Sequence, residues 1–223
     1  MLHTIPQTII RFPEITLQTR DAHKLRGFFG QLFKDRSPLL HNHFEDGRLR
    51  YKYPLVQYKV IDSIPMLIGL GEGASLLTSL FLDIKEITID NTSYPVRQKN
   101  LEQKKIETGH DNALHSYRFL TGWMALNQKN HKKYTALKSP KEKEEMLNKL
   151  LIDNILSFYK GLNIWLQEDE RLMAKGRFSE HYSTLKEKKM MVFKGHFTGN
   201  CILPDYAGLG RSVSRGFGTI IKE

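Results

Sequence analysis

The chain has 223 residues, of which 40% are hydrophobic and 10% aromatic, a composition that excludes a disordered protein. A single cysteine, Cys201, excludes a disulfide-stabilised secreted scaffold. The N terminus lacks the charged leader and apolar core of a signal peptide, and no stretch runs far enough without charge to cross a bilayer. We therefore expect a cytoplasmic protein without membrane attachment, folded as one large domain or two small ones.

The basic residues concentrate in the second half of the chain. There are 34 Lys and Arg against 24 Asp and Glu, which gives a net charge of +10. Residues 1–96 contribute +1 of this charge and residues 97–223 contribute +9. A basic surface of this size is typical of proteins that bind a phosphate backbone. The alternative is a lysine-rich surface that serves only solubility.

The first half of the chain predicts a β-α-β-β-α-β order. A strand at residues 9–19 is followed by a helix that begins after Asp21, with apolar side chains at three- and four-residue steps. The later elements are a strand at 51–61, a short buried strand at 66–70, a helix at 74–82 and a strand at 84–89. This is the order of the ferredoxin-like fold. We therefore predict an N-terminal ferredoxin-like domain over residues 1–95, whose helices cover one sheet face and leave the other open.

Residues 96–223 predict a second, degenerate domain of the same kind. Its clearest helix begins at the capping box Ser139-Pro140-Lys141-Glu142, with proline at the first helical position, and ends at Gly161. The predicted strands are 113–126, a hairpin of 162–166 with 171–178, and 190–202. The fold class is therefore α+β, with two tandem ferredoxin-like (RRM-like) domains.

The strongest local signal is a segment near the C terminus, which we call the glycine segment: Gly208-Leu209-Gly210-Arg211-Ser212-Val213-Ser214-Arg215-Gly216-Phe217-Gly218. Glycines let a backbone approach a phosphate and direct N–H groups at it, and arginines supply fork-shaped charge. The segment is not a nucleoside-triphosphate loop, because no Gly-Lys-Ser/Thr closes it, and too little chain follows for a dinucleotide fingerprint. The alternative is a tight turn before a terminal strand at 217–221.

A second signal is the pair His41 and His43, whose imidazoles can act as base and acid near neutral pH. Tyr51 follows closely enough for its hydroxyl to reach the same phosphate. Plain surface histidines and an aromatic packed on a strand are the alternatives. A His-x-His pair can also bind a metal, but a metal site needs further ligands, and the sequence clusters none nearby.

Together these features resemble the CRISPR-associated endoribonucleases that cut precursor CRISPR RNA within its repeats. The glycine segment resembles the glycine-rich loop of that family and of its wider superfamily of repeat-associated RNA-binding proteins. The N-terminal half is similar to a histidine-pair subgroup. The matching motifs are Leu25-Arg26-Gly27-Phe28-Phe29-Gly30, His41-Asn42-His43 and Tyr51-Lys52-Tyr53-Pro54-Leu55-Val56-Gln57-Tyr58-Lys59. The resemblance covers residues 20–90 and 190–221, and the middle of the chain matches only in element order.

The resemblance implies cleavage without metal or cofactor that leaves a cyclic phosphate on the upstream product. We assign acid–base catalysis to His41 and His43, without deciding which is the base, and an orienting or stabilising role to Tyr51, with Lys52 as a lesser candidate. The residues expected to hold the RNA are Arg211, Ser212, Ser214, Arg215, Lys188, Lys189 and Lys194.

An alternative of a different class is a non-catalytic RNA-binding scaffold subunit of an RNA-guided CRISPR effector complex. Such a subunit would keep the glycine segment and would need no histidine pair. CRISPR repeat RNA is the expected partner in both cases. Effector-complex subunits and a second copy of the chain, as a homodimer, are left open as further partners.

Overall fold

The structure, a computed structural model, describes residues 1–33, 36, 39, 53–185 and 188–223. The α-helices are α1 (Ala22–Leu32), α2 (Glu72–Leu80), α3 (Gln128–Ala136) and α4 (Pro140–Gly161). The strands are β1 (Leu2–Arg11), β2 (Val56–Ile61), β3 (Ile64–Leu70), β4 (Glu86–Ile89), β5 (Thr92–Pro95), β6 (Asn100–Phe119), β7 (Ala174–Leu185), β8 (Lys188–Ile202) and β9 (Ile220–Lys222). None of the helices among the described residues is both long and apolar enough to span a membrane.

The chain forms two compact units. The N-terminal unit comprises Thr4–Ile106 and Val213–Gly216, and the C-terminal unit comprises Met1–His3, Glu107–Ser212 and Phe217–Glu223. Each unit combines helices with antiparallel strands, which confirms the predicted α+β class. The domain division after residue 95 stays a prediction.

In the N-terminal unit, β3 pairs with both β1 and β2, and each pairing is antiparallel. Helices α1 and α2 pack on one face of these strands, as predicted. Tyr58 of β2 is directed at this face and stacks on Phe29 of α1, with ring centroids 5.8 Å apart. Leu77 of α2 belongs to the same buried cluster. The aromatic stripe of α1 therefore fixes the helix on β2 through apolar burial.

The opposite face of these strands is also buried, so the prediction of an open face is wrong. Ile9, Ile68, Gln57 and Lys59 lie on it by strand alternation, and each is at most 1% exposed. The burial of both faces agrees with the sequence of β3, IPMLIGL, which is apolar at nearly every position. Such a run is typical of a strand that is covered on both faces.

β4 is a strand as predicted, and it forms a separate two-stranded sheet with β5. Asp90 and Asn91 connect the two strands with φ values of 48° and 65°. Positive φ at both central residues is the requirement of a type I′ turn, which suits the twist of a hairpin. Ile87 and Ile89 still pack into the core of the N-terminal unit.

In the C-terminal unit, β8 pairs with β7 and β6, and β9 pairs with β6. Trp123 is fully buried at the centre of this unit. Its ring stacks on Phe119 at 5.3 Å and contacts Phe178 at 5.0 Å. The indole N–H donates to Asn154 Oδ1 of α4 at 3.0 Å. Burial of a tryptophan whose N–H is satisfied ties the helix to the sheet.

Several predicted strands have other limits in the structure. The first strand ends at Arg11 rather than at residue 19, because Pro13 has no N–H to donate and the chain turns there. The strand predicted at 113–126 starts at Asn100 and ends at Phe119. The hairpin predicted from 162–166 and 171–178 is wrong, because residues 162–173 form no strand and β7 pairs with β8 instead.

The helices α3 and α4 of the C-terminal unit begin differently. α4 starts at Pro140 and ends at Gly161 as predicted, but the N-cap residue Ser139 makes no side-chain hydrogen bond to the helix. The predicted capping box is therefore wrong; proline at the first position needs no partner for an N–H, and its fixed φ favours the first turn. α3, which the sequence analysis missed, is capped by Asn127, whose Oδ1 accepts the Asn130 N–H at 2.7 Å.

This contrast predicts unequal effects of alanine at the two caps. Asn127→Ala should lower the free energy of unfolding by about 1 kcal/mol, because a backbone donor loses its acceptor. Ser139→Ala should change it by only about 0.3 kcal/mol, since no cap bond is lost. Urea denaturation of both variants checks this. Equal losses would mean that the Ser139 hydroxyl caps α4 in solution.

Candidate functional site

The predicted catalytic residues His41, His43 and Tyr51, together with Lys52, lie outside the described residues, and their roles stay predictions. The next described residue is Tyr53, whose hydroxyl accepts a 2.7 Å hydrogen bond from Gln57 Nε2. Tyr53 precedes the first residue of β2.

The glycine segment leads into the last strand. Gly208 forms a β-bridge with Thr219, and the Leu209 N–H donates to the Gly218 carbonyl at 2.8 Å. β9 then pairs with the end of β6. The terminal strand named as an alternative therefore exists, at Ile220–Lys222 rather than at 217–221.

Several glycine-segment N–H groups bond to carbonyls of the chain itself. The Arg211 N–H donates to Met124 at 3.0 Å, and the Gly218 N–H donates to Gly122 at 2.9 Å. Gly210 has φ 91°, and a Cβ there would lie 2.7 Å from the indole nitrogen of Trp123. The N–H groups of Arg211 and Gly218 are therefore bonded within the protein and are not among those that could be directed at a phosphate. Glycine is needed at position 210 because the backbone passes over a buried tryptophan.

This packing holds two of the predicted RNA-binding residues at the surface of the C-terminal unit. Arg211 is exposed and Ser212 is half-buried. Ser212 has φ 55°, in the left-handed region that residues other than glycine adopt at a cost. The hydrogen bond from the Arg211 N–H to the Met124 carbonyl fixes the backbone at this residue, and the Arg211 side chain is exposed to solvent.

The other two predicted residues of the segment, Ser214 and Arg215, belong to the N-terminal unit. They lie in a short 3-10 helix, Val213–Arg215, that packs against α1 and β2. A Cβ at Gly216, which has φ 88°, would lie 2.6 Å from the Cβ of Ala22. Arg215 is thereby held close to the first turns of α1.

Arg215 and Arg26 of α1 form a pair of like charges. Burial, and after it the positive charge of Arg215, lower the pKa of the Arg26 guanidinium. Arginine stays charged at neutral pH in spite of such a shift. Two neighbouring guanidinium groups repel each other, and a bound phosphate would relieve that repulsion. No pattern in the sequence indicates this role for Arg26.

Lys59 of β2 is a buried lysine whose backbone passes close to the same segment. Its side chain is 0% exposed, and its Cα would lie 3.9 Å from a Cβ at Gly216. Burial lowers the pKa of Lys59 to about 7. The part of the N-terminal unit that carries Arg26 and Arg215 therefore also holds a lysine that loses its proton near neutral pH.

The three predicted lysines of β8 do not share one face. Lys188, Lys189 and Lys194 are all exposed, and strand alternation places Lys188 and Lys194 on one side and Lys189 on the other. Lys189 Nζ lies 4.2 Å from the ring centroid of Tyr182. The described residues contain no cluster of His, Cys, Asp and Glu that could hold a metal ion.

Comparison with known proteins identifies the family. Residues 3–107 match the Cas6b N-terminal domain and residues 109–223 match the Cas6b C-terminal domain. This chain belongs to the Cas6b family.

Solved Cas6b structures are similar to this Cas6b chain along its length. One crystal structure of Cas6b is 36% identical, with 99% of this chain and 100% of that chain covered and a TM-score of 0.92. Another, of the CRISPR RNA processing endoribonuclease Cas6b, is 34% identical with the same coverage and a TM-score of 0.79. An uncharacterized protein of Methanocaldococcus jannaschii is 34% identical over 145 residues, 64% of this chain and 96% of that protein. More distant Cas6 structures share the fold of two tandem ferredoxin-like domains, as predicted.

The buried lysine of this Cas6b protein predicts a pH-dependent stability. The pKa is about 7 in the folded chain and 10.5 as the ordinary value, so between these pH values the unfolded chain binds more protons. The free energy of unfolding should therefore rise with pH across this window, by up to about 1.4 kcal/mol per pH unit.

Lys59→Met tests this, because methionine keeps an unbranched side chain and removes the charge. We expect the wild type to gain stability relative to the variant between pH 7 and pH 9 in urea denaturation. Other groups titrate equally in both proteins and cancel in the difference. Parallel curves for the two proteins would contradict the assignment.

Proposed function

We propose that this Cas6b protein is an endoribonuclease that cuts precursor CRISPR RNA within its repeats. The observation that carries the proposal is its similarity, over 99% of the chain and at 34% identity, to a Cas6b described as a CRISPR RNA processing endoribonuclease. The basic excess of residues 97–223 and the exposed Arg211 support a polyanionic substrate. Cytoplasmic localisation, effector-complex subunits and a homodimer stay predictions.

The proposed reaction uses the ribose of the substrate as nucleophile. A base removes the proton of the 2′-hydroxyl, the oxygen attacks the adjoining phosphorus, and an acid protonates the departing 5′-oxygen. The products are a 2′,3′-cyclic phosphate and a 5′-hydroxyl. His41 and His43 supply the base and the acid in this proposal, and Tyr51 orients or stabilises the charge on the phosphate.

The proposed RNA contacts lie mainly in the glycine segment. Arg211, Ser212, Ser214 and Arg215 of the glycine segment hold phosphates, and Arg26 joins Arg215, because the charge of Arg215 is close enough to lower the pKa of the Arg26 guanidinium. The exposed lysines are a weaker, less directional set: Lys188, Lys189 and Lys194.

The catalytic assignment predicts the result of a cleavage assay in EDTA. Wild type should cut labelled repeat RNA from its own locus, while His41→Ala and His43→Ala should each cut at least about 100-fold more slowly, because a positioned acid or base contributes this much. Replacing the ribose at the cut by deoxyribose should abolish the reaction.

His196→Ala, at an exposed histidine of β8, is the matched control and should cut at the wild-type rate. Absence of cleavage by wild type both with and without EDTA would favour the scaffold subunit. Unimpaired cleavage by both histidine variants would overturn the site, and loss of activity in EDTA would overturn the metal-free reaction.

The arginine assignment predicts a change in the salt dependence of binding. Arg211→Gln and Arg215→Gln should each weaken binding of a repeat RNA that carries deoxyribose at the cut. Each should also reduce the slope of log affinity against log salt by about one unit per lost phosphate contact.

Arg97→Gln serves as the control, since Arg97 is an exposed arginine remote in sequence from the segment. Fluorescence anisotropy over a salt series gives both affinity and slope. Slopes for Arg211→Gln and Arg215→Gln that equal that of Arg97→Gln would remove these arginines from the interface.

A further inference from the structure

A basic groove with an apolar floor lies in the C-terminal unit, beside α3 and the beginning of β8. The groove is lined on its apolar side by Leu126, Met190 and Met191, and on its charged side by Lys129, Lys132 and Lys189. None of these residues belongs to the glycine segment, and only Lys189 was expected to hold RNA.

α3 is stabilised by its own N-cap and is held on the sheet by two contacts of Tyr134, so the groove is a built feature of this unit. Asn127 caps the helix at 2.7 Å. Tyr134 packs edge-on against Phe193 of β8 with ring centroids 5.4 Å apart, and its hydroxyl donates to Glu180 of β7 at 2.8 Å. Lys129 and Lys132 are three residues apart and therefore lie on the same side of α3.

The charge of the groove is not neutralised within the described part of the chain. Lys129, Lys132 and Lys189 have no carboxylate within 4.0 Å among the described residues, and none of the described groove residues is acidic. Three ammonium groups around an apolar floor are complementary to a ligand that is anionic at its edge and flat and apolar at its centre.

Tyr182 adds an exposed aromatic ring beside the groove. It pairs with Met191 across β7 and β8 and is 59% exposed. Lys189 Nζ, 4.2 Å from the ring centroid, fixes the ring by a cation–π contact. An exposed ring next to a basic groove is the arrangement on which unpaired bases stack in single-strand binding sites.

We infer that this groove binds a single-stranded part of the RNA substrate, in addition to the phosphates held by the glycine segment. Phosphates lie on Lys129, Lys132 and Lys189, while bases stack on Tyr182 and on the methionine floor. Paired RNA does not fit this chemistry, because its bases are stacked inside a helix. The inference rests on the proposed function, since it assumes that RNA is the substrate.

The lysine side of the groove is tested with a charge-reversed pair and a matched control. Lys129→Glu/Lys132→Glu and Lys141→Glu/Lys149→Glu change the same charge at exposed helix positions, on α3 and on α4. With repeat RNA that carries deoxyribose at the cut, the α3 variant should bind at least about tenfold more weakly than the α4 variant, with a salt slope lower by about two units.

The stacking side is tested at Tyr182. Tyr182→Ala should weaken binding of the same RNA about tenfold without changing the salt slope, because a base loses its platform and no phosphate loses a charge. Tyr182→Phe keeps the ring and should bind as wild type does. If Tyr182 had only a structural role, its loss would not lower the affinity for RNA while leaving the salt slope unchanged.

Each outcome decides for or against the groove. If wild type binds and cuts the repeat RNA while the α3 and α4 variants bind equally, the groove inference fails and the proposed function stands. If wild type neither binds nor cuts the RNA, the proposed function fails first. Oligoglutamate of equal charge is the competitor that tests for an acidic protein segment. If it displaces the RNA as well as unlabelled RNA does, and if Lys129→Glu/Lys132→Glu abolishes its binding, the groove fits an acidic protein segment and the inference is overturned.

Discussion

The close passage of the glycine segment over Trp123 is the constraint on which the proposed RNA surface depends. The backbone of Trp123 exchanges two hydrogen bonds with Phe193 of β8, and its indole is bonded to α4. Gly210 then leaves no room for a side chain above the indole nitrogen. Trp123 therefore fixes the path of the segment's backbone, and this path determines the position of the Arg211 side chain.

The glycines therefore serve mainly to let the segment pack closely against the rest of the protein. The Gly218 N–H donates to the Gly122 carbonyl, the Gly218 carbonyl accepts the Leu209 N–H, and the missing side chain at Gly210 permits the approach to Trp123. The proposed phosphate contacts belong to arginine and serine side chains that lie between the glycines. The proposal therefore assigns backbone packing to the glycines of the segment and charge to its arginines.

Elements that bury a regular apolar stripe could be predicted from the sequence. The Phe and Leu residues of α1, the apolar run of β3 and the long stripe of α4 gave helices and strands close to the observed ones. Elements with little apolar pattern could not. The first part of β6 is almost wholly exposed, and α3 has one buried residue, Tyr134. β7 alternates too weakly to show that its partner is β8 rather than residues 162–166.

The composition of the candidate site was partly predictable, and its three-dimensional grouping was not. Arginines and serines between glycines suggest a phosphate contact by type alone. The proximity of Arg26 to Arg215, by contrast, joins residues far apart in the chain, and no local pattern encodes it. The unusual pKa of Lys59 was equally unpredictable from the sequence, because a lysine in an alternating strand is expected to face water. Its pKa is lowered because both faces of β2 are buried.

The membership of Val213–Gly216 in the N-terminal unit has a consequence for how that unit folds. These residues pack on α1 and β2, although Glu107–Ser212 of the C-terminal unit separate them in sequence from the rest of the N-terminal unit. Contacts between residues so far apart require closure of a long loop, which costs conformational entropy and slows folding. The meeting of Arg26 with Arg215 therefore depends on the closure of this loop.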